Sequence, residues 1–339
     1  MPNIADLFTQ RNVLDYVNGR EPAAFLGESL FPARKVQGLE FDILQAGSRI
    51  PTIASVHAFD TEAEIASRVG SRSAQELAFI KRKIQLKEQD LIALRNPRTA
   101  AEQSFLEQEV YNDVTKMVGA VNARVEKFRM EVLANGTVTL DENGLDLIVD
   151  YKVPDEHKAE VDWTSASADI IGNLTEWAST LDVMPTRALT STKIRNAMLK
   201  NKEILAFFKA SGLLPTTGSL NTIMAQFGLP VIATYDAKYN KEGKNGKLVK
   251  ERYFPEDKFV MFGDEVLGES IYGVTPEESR LVGGGSNDVV VGNVYAMVYE
   301  SGVDPVGTWT KAAATALPSF PEADNVFQAK VLPSTPSGD

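Results

Sequence analysis

Histidine is where chemistry would first be sought, because the chain has no cysteine and only two histidines, His57 and His157. Thiolate metal sites, cysteine nucleophiles and disulfides are thereby excluded. A metal centre or a catalytic triad needs convergent His, Asp or Glu groups. The two histidines stand far apart, each in a polar, loop-like stretch. Carboxylates are plentiful, and Asp60, Glu62 and Glu64 lie close together. A glycosidase-type pair, however, requires a defined separation that sequence spacing does not supply. Val282-Gly283-Gly284-Gly285-Ser286 is glycine-rich but lacks the Lys-Ser/Thr of a phosphate loop and does not lead from strand to helix. It reads as a flexible connector. Asn135-Gly136-Thr137 and Asn173-Leu174-Thr175 match the glycosylation sequon with no accompanying sign of secretion. Lys81-Arg82-Lys83 reads as one face of a solvated ribbon. The sharper alternative is a basic row that meets an acidic surface on another subunit. No catalytic, cofactor-binding or metal-ligating residue is assigned, and no cofactor is expected.

The totals narrow the classes further. The chain has 339 residues, a formal net charge of −11, 43% hydrophobic and 24% charged residues. Such a chain can bury a sizeable core, and its length suggests about two domains. The acidic balance argues against tight, sequence-independent binding of nucleic acid, which needs basic surface. The first residues carry no basic and apolar signal pattern. No run approaches the roughly 18 apolar residues that would span a bilayer, so no membrane partner is expected.

Any site must be positioned by the elements, and the longest of these is a helix over 99–135. Leu106, Val110, Val114, Val118, Val121, Val125, Phe128 and Val132 recur at steps of three or four, which puts them on one stripe. Thr99 and Glu102 form a capping-box pattern at its start. Asn135-Gly136 supplies the left-handed stop. Valine is a middling helix former, so burial rather than propensity must hold this helix.

Residues 1–34 read as a short amphipathic helix and an irregular arm broken by Gly19, Pro22, Gly27 and Pro32. Residues 35–90 read as a two-stranded ribbon, out along Val36–Ile43 and back along Phe79–Leu86. On the return strand Ile80, Ile84 and Leu86 share a face with Arg82, against Lys81, Lys83 and Gln85. The ribbon has no evident local core and needs a partner surface. Thr137–Leu140 and Leu145–Tyr151 flank a turn at Asp141–Gly144. Beyond a charged break at 154–160, residues 164–284 have mixed α/β character. Helices are expected over Ser165–Leu181, Thr190–Ala210 and Ser219–Phe227, and strands over Val231–Tyr235, Leu248–Phe254 and Lys258–Phe262. Asn240–Lys247 is the most loop-like tip. Residues 288–300 read as a buried strand, Val326–Leu332 as a closing strand, and 333–339 as a disordered tail.

Taken in order, these pieces resemble the major capsid proteins of tailed bacteriophages, in particular the lambda-like protein E family. Phe31-Pro32 leads into the first ribbon strand. Ile80–Leu86 runs through Asp90 and Asn96-Pro97 into the long helix and its Asn135-Gly136 stop. Ile232–Tyr235, Tyr253-Phe254-Pro255-Glu256-Asp257, Val260-Met261-Phe262, Gly268 and Tyr272–Glu277 follow. Trp309-Thr310-Lys311, Leu317-Pro318 and Asp324–Val331 close the pattern.

The resemblance implies an α+β, Hong Kong 97-like capsid fold. Residues 1–34 would be the N-terminal arm and 35–90 the E-loop, lying over a neighbouring subunit. Residues 91–160 and 285–339 would form the peripheral domain, with its spine helix at 99–135. Residues 161–284 would form the axial domain, with Asn240–Lys247 near the tip that gathers at symmetry axes. It further implies self-assembly as pentamers and hexamers into an icosahedral head around double-stranded DNA, touched only weakly and non-specifically. Scaffolding and portal proteins, and in some members a decoration protein, would be the partners. Assembly would take place in the host cytoplasm. Two other readings remain open at this point: an encapsulin-type compartment shell, and a soluble two-domain hydrolase with a carboxylate pair in a cleft.

Overall fold

The structure, a computed structural model, describes residues 8–20, 24–44, 72–86, 88–142, 144–243, 246–283, 291–301 and 307–333. In chain order, α1 (Gln10–Asn18) and α2 (Leu26–Leu30) precede β1 (Ala33–Lys35), β2 (Glu40–Leu44), β3 (Arg72–Glu76) and β4 (Ala78–Leu86). Next come α3 (Glu88–Arg95), α4 (Ala100–Asn135), β5 (Thr137–Leu140), β6 (Leu147–Asp150) and β7 (Lys158–Glu160). α5 (Ile170–Thr180), β8 (Arg187–Thr190), α6 (Thr192–Lys200), α7 (Lys202–Ser211) and α8 (Thr217–Gln226) follow. The rest is β9 (Val231–Thr234), β10 (Lys238–Glu242), β11 (Leu248–Arg252), β12 (Lys258–Phe262), β13 (Ser270–Gly273), α9 (Pro276–Gly283), β14 (Tyr295–Ser301), β15 (Gly307–Pro318) and β16 (Phe327–Lys330).

Helix α4 is 36 residues long, and the expected stripe is its buried face, from Val110 and Val114 through Val121, Val125 and Phe128 to Val132. The Thr99 hydroxyl accepts the Glu102 N–H at 3.1 Å. Glu102 reaches back one residue further than a capping box requires, to the Arg98 N–H at 2.7 Å. At the other end Gly136 takes φ +68°. A Cβ there would sit 2.6 Å from Val153 Cγ2. The last carbonyls of a helix lack intrahelical donors. Here the Gln328 side-chain amide donates to Val132 O and Leu133 O at 3.1 and 2.9 Å.

The chain forms two compact units, one within Met1–Phe41, Ala74–Glu126 and Glu269–Pro318, the other largely within Lys127–Gly268 and Ser319–Asp339. Helix α4 belongs to both.

In the first unit β15 is the central strand. β4 runs antiparallel along one side of it, from Ala78 opposite Ala316 to Leu86 opposite Thr308. On the other side β14 pairs with its first half and β13 with its last residues. β1 joins β13 in parallel. Ala312, Ala314 and Ala316 share a buried cluster with the α4 residues Val110, Val114, Val121 and Val125. Small side chains on the strand leave room for the valine ridge of the helix. The N-terminal helix lies on its own chain: Val13 and Leu14 are buried, and the Gln10 amide donates to Ala296 O at 2.7 Å. Tyr16 packs on Tyr111 with ring centroids 4.5 Å apart.

One expectation is corrected here. The ribbon's return strand has a local partner, because β4 is paired with β15 and its Ile80, Ile84 and Leu86 pack on the buried cluster. The outgoing strand β2 pairs with β3 instead. Residues 45–71, the ribbon interior, lie outside the described residues.

The second unit is built on a mixed sheet in the order β7-β16-β12-β8-β9. β12 is antiparallel to β16 and β8, while β7 and β9 run parallel to their neighbours. The core is aromatic. Trp177 stacks between Trp163 and Phe327 at 5.5 and 5.1 Å, and Phe259 meets Trp163 edge-on. The expected helix over 190–210 is two helices that break at Asn201. The Asn201 carboxamide oxygen accepts the N–H groups of Glu203 and Ile204, and its amide donates to Ala168 O. A side chain that caps a new helix competes with continuing the old one.

Candidate assembly surfaces

The residues first weighed for chemistry are not brought together. His157 is buried in a short turn, its Nδ1 without a hydrogen-bond partner among the described residues and its ring 6.5 Å from that of Phe327. His57, Asp60, Glu62 and Glu64 lie outside the described residues, as do Gly284, Gly285 and Ser286. Asn135 ends α4, and Asn173 lies within α5. Among the described residues no group of three His, Cys, Asp or Glu side chains could hold a metal ion. No helix among them is long and apolar enough to cross a membrane.

Surface features are more informative. β4 pairs with β15 alone, which leaves its other edge without a strand among the described residues. Its outer face carries Phe79, Lys81, Lys83 and Gln85. Lys83 Nζ lies 4.1 Å from the centre of the Trp309 ring, and Lys81 Nζ lies 5.1 Å from that of Phe79. Lysines on an edge strand discourage indiscriminate strand addition. They leave a basic, aromatic row available to an acidic surface.

Two hairpins of the second unit expose apolar side chains. On β5–β6, Leu145 and Leu147 are exposed and Ile148 is 61% exposed. On β10–β11, Leu248 and Val249 are exposed among Lys238, Lys241, Lys247 and Lys250. Lys241 Nζ approaches Glu142 at 3.6 Å, which links the two hairpins. The root of β10–β11 is held by Asp236, which accepts from Thr192 and from the Arg252 guanidinium. Burial pushes the Asp236 carboxyl up, but these hydrogen bonds outweigh it and hold the group below its ordinary value.

A polar cavity of about 310 Å³ opens beside the C-terminal end of α4, lined by Asn135, Lys158, Ala159, Glu160, Lys258, Gln328 and Lys330. Register sets its chemistry. Lys258 on β12 lies opposite Lys330 on β16, and Gln328 on β16 opposite Lys158 on β7. Lys330 pairs with Glu160 at 2.6 Å, and this hydrogen bond raises the lysine and lowers the glutamate. Lys158 pairs with Asp155 at 2.9 Å. Lys258 has neither ion pair nor side-chain hydrogen bond among the described residues. Sequence reasoning missed this cluster because its members lie on three strands far apart in the chain. Only the strand register unites them.

The family model for phage major capsid protein E matches residues 9–331. No curated protein matches the chain. A candidate capsid protein from a prophage of Escherichia coli CFT073 superposes with a TM-score of 0.65 at 13% identity, covering 95% of this chain and 98% of that one. A phage-related protein from Bordetella bronchiseptica RB50 gives 0.54 at 10% identity, covering 94% and 96%. The fold is therefore the mixed α+β, Hong Kong 97-like capsid fold over nearly the whole chain. The chain belongs to the phage major capsid protein E family, as a structural protein of the phage head shell and not an enzyme.

Proposed function

We propose that copies of this chain assemble as pentamers and hexamers into a closed icosahedral shell that encloses double-stranded DNA. The observation that carries this reading is the family match over residues 9–331. Exposed apolar groups on β5–β6 and β10–β11 support it, since such groups on a soluble surface mark places that neighbours cover. In this reading residues 1–34 are the arm and 35–90 the E-loop. Residues 91–160 and 285–339 supply the peripheral domain with spine helix 99–135, and 161–284 supply the axial domain. The axial assignment rests on α5–α8 and their sheet. β13 is the part of 161–284 that pairs with β15. The β10–β11 tip is then the part that approaches the symmetry axes. A separate scaffolding protein and a portal protein are the expected partners, with a decoration protein where one is used. The net charge of −11 suits a shell that touches its DNA weakly and non-specifically. Assembly takes place in the host cytoplasm.

Negative-stain microscopy of the purified protein, expressed alone and with its genomic neighbours, tests the proposal. Closed shells, tubes of uniform wall or rings of five and six are the expected result. Small discrete particles under every condition would overturn it.

A further inference from the structure

We propose that the cavity lined by Lys158, Lys258 and Lys330 is the seat for a carboxylate side chain of a second copy of this chain. The inference rests on the assembly reading above and goes beyond it by naming a contact.

Like charges directly opposite on neighbouring strands repel. The antiparallel register of β12 and β16 places Lys258 and Lys330 in that relation. Lys158 and Glu160, two residues apart on β7, line the same cavity. The carboxylate within this group, Glu160, is engaged by Lys330, while Lys158 turns to Asp155. Among the described residues Lys258 is the lysine of this group that has no ion pair of its own. Burial pushes it below its ordinary value; Asp257 and Glu160 pull it up, against Lys330 and Lys158. A lysine taken partly out of water without an ion pair is costly, and an incoming anion relieves that cost. Asn135, at the end of α4, adds a carboxamide to the lining.

Two observations select the anion. A cavity of about 310 Å³ has room for an inserted side chain, whereas a duplex offers its phosphates on a long convex rod. The chain also carries 46 acidic against 35 basic side chains, so the neighbour in a shell presents carboxylates in excess. The competing role is internal. Lysines near a helix C-terminus favour its carbonyl dipoles, and Lys258 could serve α4 in that way. The two roles differ in sign. If Lys258 stabilises α4, removing its charge weakens the subunit. If it awaits a partner, removing its charge leaves the subunit as stable or more stable and weakens assembly.

The test compares Lys258→Gln and Lys258→Glu with the wild type. Subunit unfolding is followed in urea, and shell yield is followed by sedimentation under conditions where the wild type assembles. The expected result is an unchanged or higher unfolding midpoint for Lys258→Gln with a shell yield lower by about tenfold, the loss of one charge-assisted contact. Lys258→Glu should assemble still less. If it fails to fold, the glutamine variant alone decides. A lower midpoint with normal shell yield would overturn the proposal in favour of the helix role and leave the capsid reading intact. Normal shell numbers with reduced nucleic-acid content would overturn it in favour of a phosphate seat. Failure of the wild type itself to assemble would remove the underlying reading as well.

Discussion

The two sheets of this chain are packed by opposite means. In the first unit the strand gives way to the helix: Ala312, Ala314 and Ala316 of β15 lie in one cluster with the valines of α4. In the second unit the filling is done by large rings, with Phe259, Trp163, Trp177 and Phe327 forming a row in which each meets the next. A core of small residues has no slack for added volume. A core of large ones leaves a large hole when a ring is removed. The same fold thus contains one region sensitive to enlargement and one sensitive to truncation.

Substitutions can break or sharpen that contrast. Trp163→Ala should have the largest effect, a loss of about 3–5 kcal/mol in urea unfolding of the subunit. A loss below that of the β15 substitution next described would mean that the aromatic stack is not the anchor of its unit. Ala314→Leu should cost about 1–3 kcal/mol through overpacking. A neutral outcome there would show that β15 and α4 are not in close contact. Gly136→Ala adds a side chain at φ +68° and should cost about 1–2 kcal/mol. Gly136→Asn should be no cheaper: asparagine tolerates that φ, but its Cβ meets Val153 Cγ2 at the same 2.6 Å. Thr99→Ala should lower stability by about 1 kcal/mol, read as a shift in the urea midpoint. The smallest effect is one of pH. The Asp236 carboxyl lies below its ordinary value in the folded chain. The stability it contributes is therefore present above the unfolded aspartate pKa of about 3.9 and is lost as pH falls through the lower folded value. Asp236→Asn should flatten the acid limb of the urea midpoint against pH. An unchanged acid limb would mean that its bonds to Thr192 and Arg252 do not hold the hairpin root.

What the sequence discloses follows the same contrast. Helix α4 is legible because its valines repeat at helical spacing over 36 residues and its stop is Asn-Gly. The faces of β4 are legible because Ile80, Ile84 and Leu86 alternate with charged residues. The most connected strand, β15, is not legible as a strand. Its run Lys311-Ala312-Ala313-Ala314-Thr315-Ala316 has low strand propensity and no alternation, because both its faces are covered and its side chains must be small. The short strands β1 and β13 escape for a related reason: three or four residues carry too little pattern. The Asn201 break is visible only once its side chain is seen to cap α7. The lysine cavity depends on register between strands remote in sequence, which no local pattern encodes.

The contact between Gln10 and Ala296 joins residues 286 positions apart. Its consequence lies in time. At about 5–20 residues per second, a ribosome needs roughly 15–60 s to make the second partner after the first. For that interval α1, and from its own synthesis onward β4, exist without the strands that cover them. The first unit is therefore completed only once residues 295–318 have been made, and until β15 emerges the nascent chain must keep the apolar face of β4 from pairing with its neighbours on the same message.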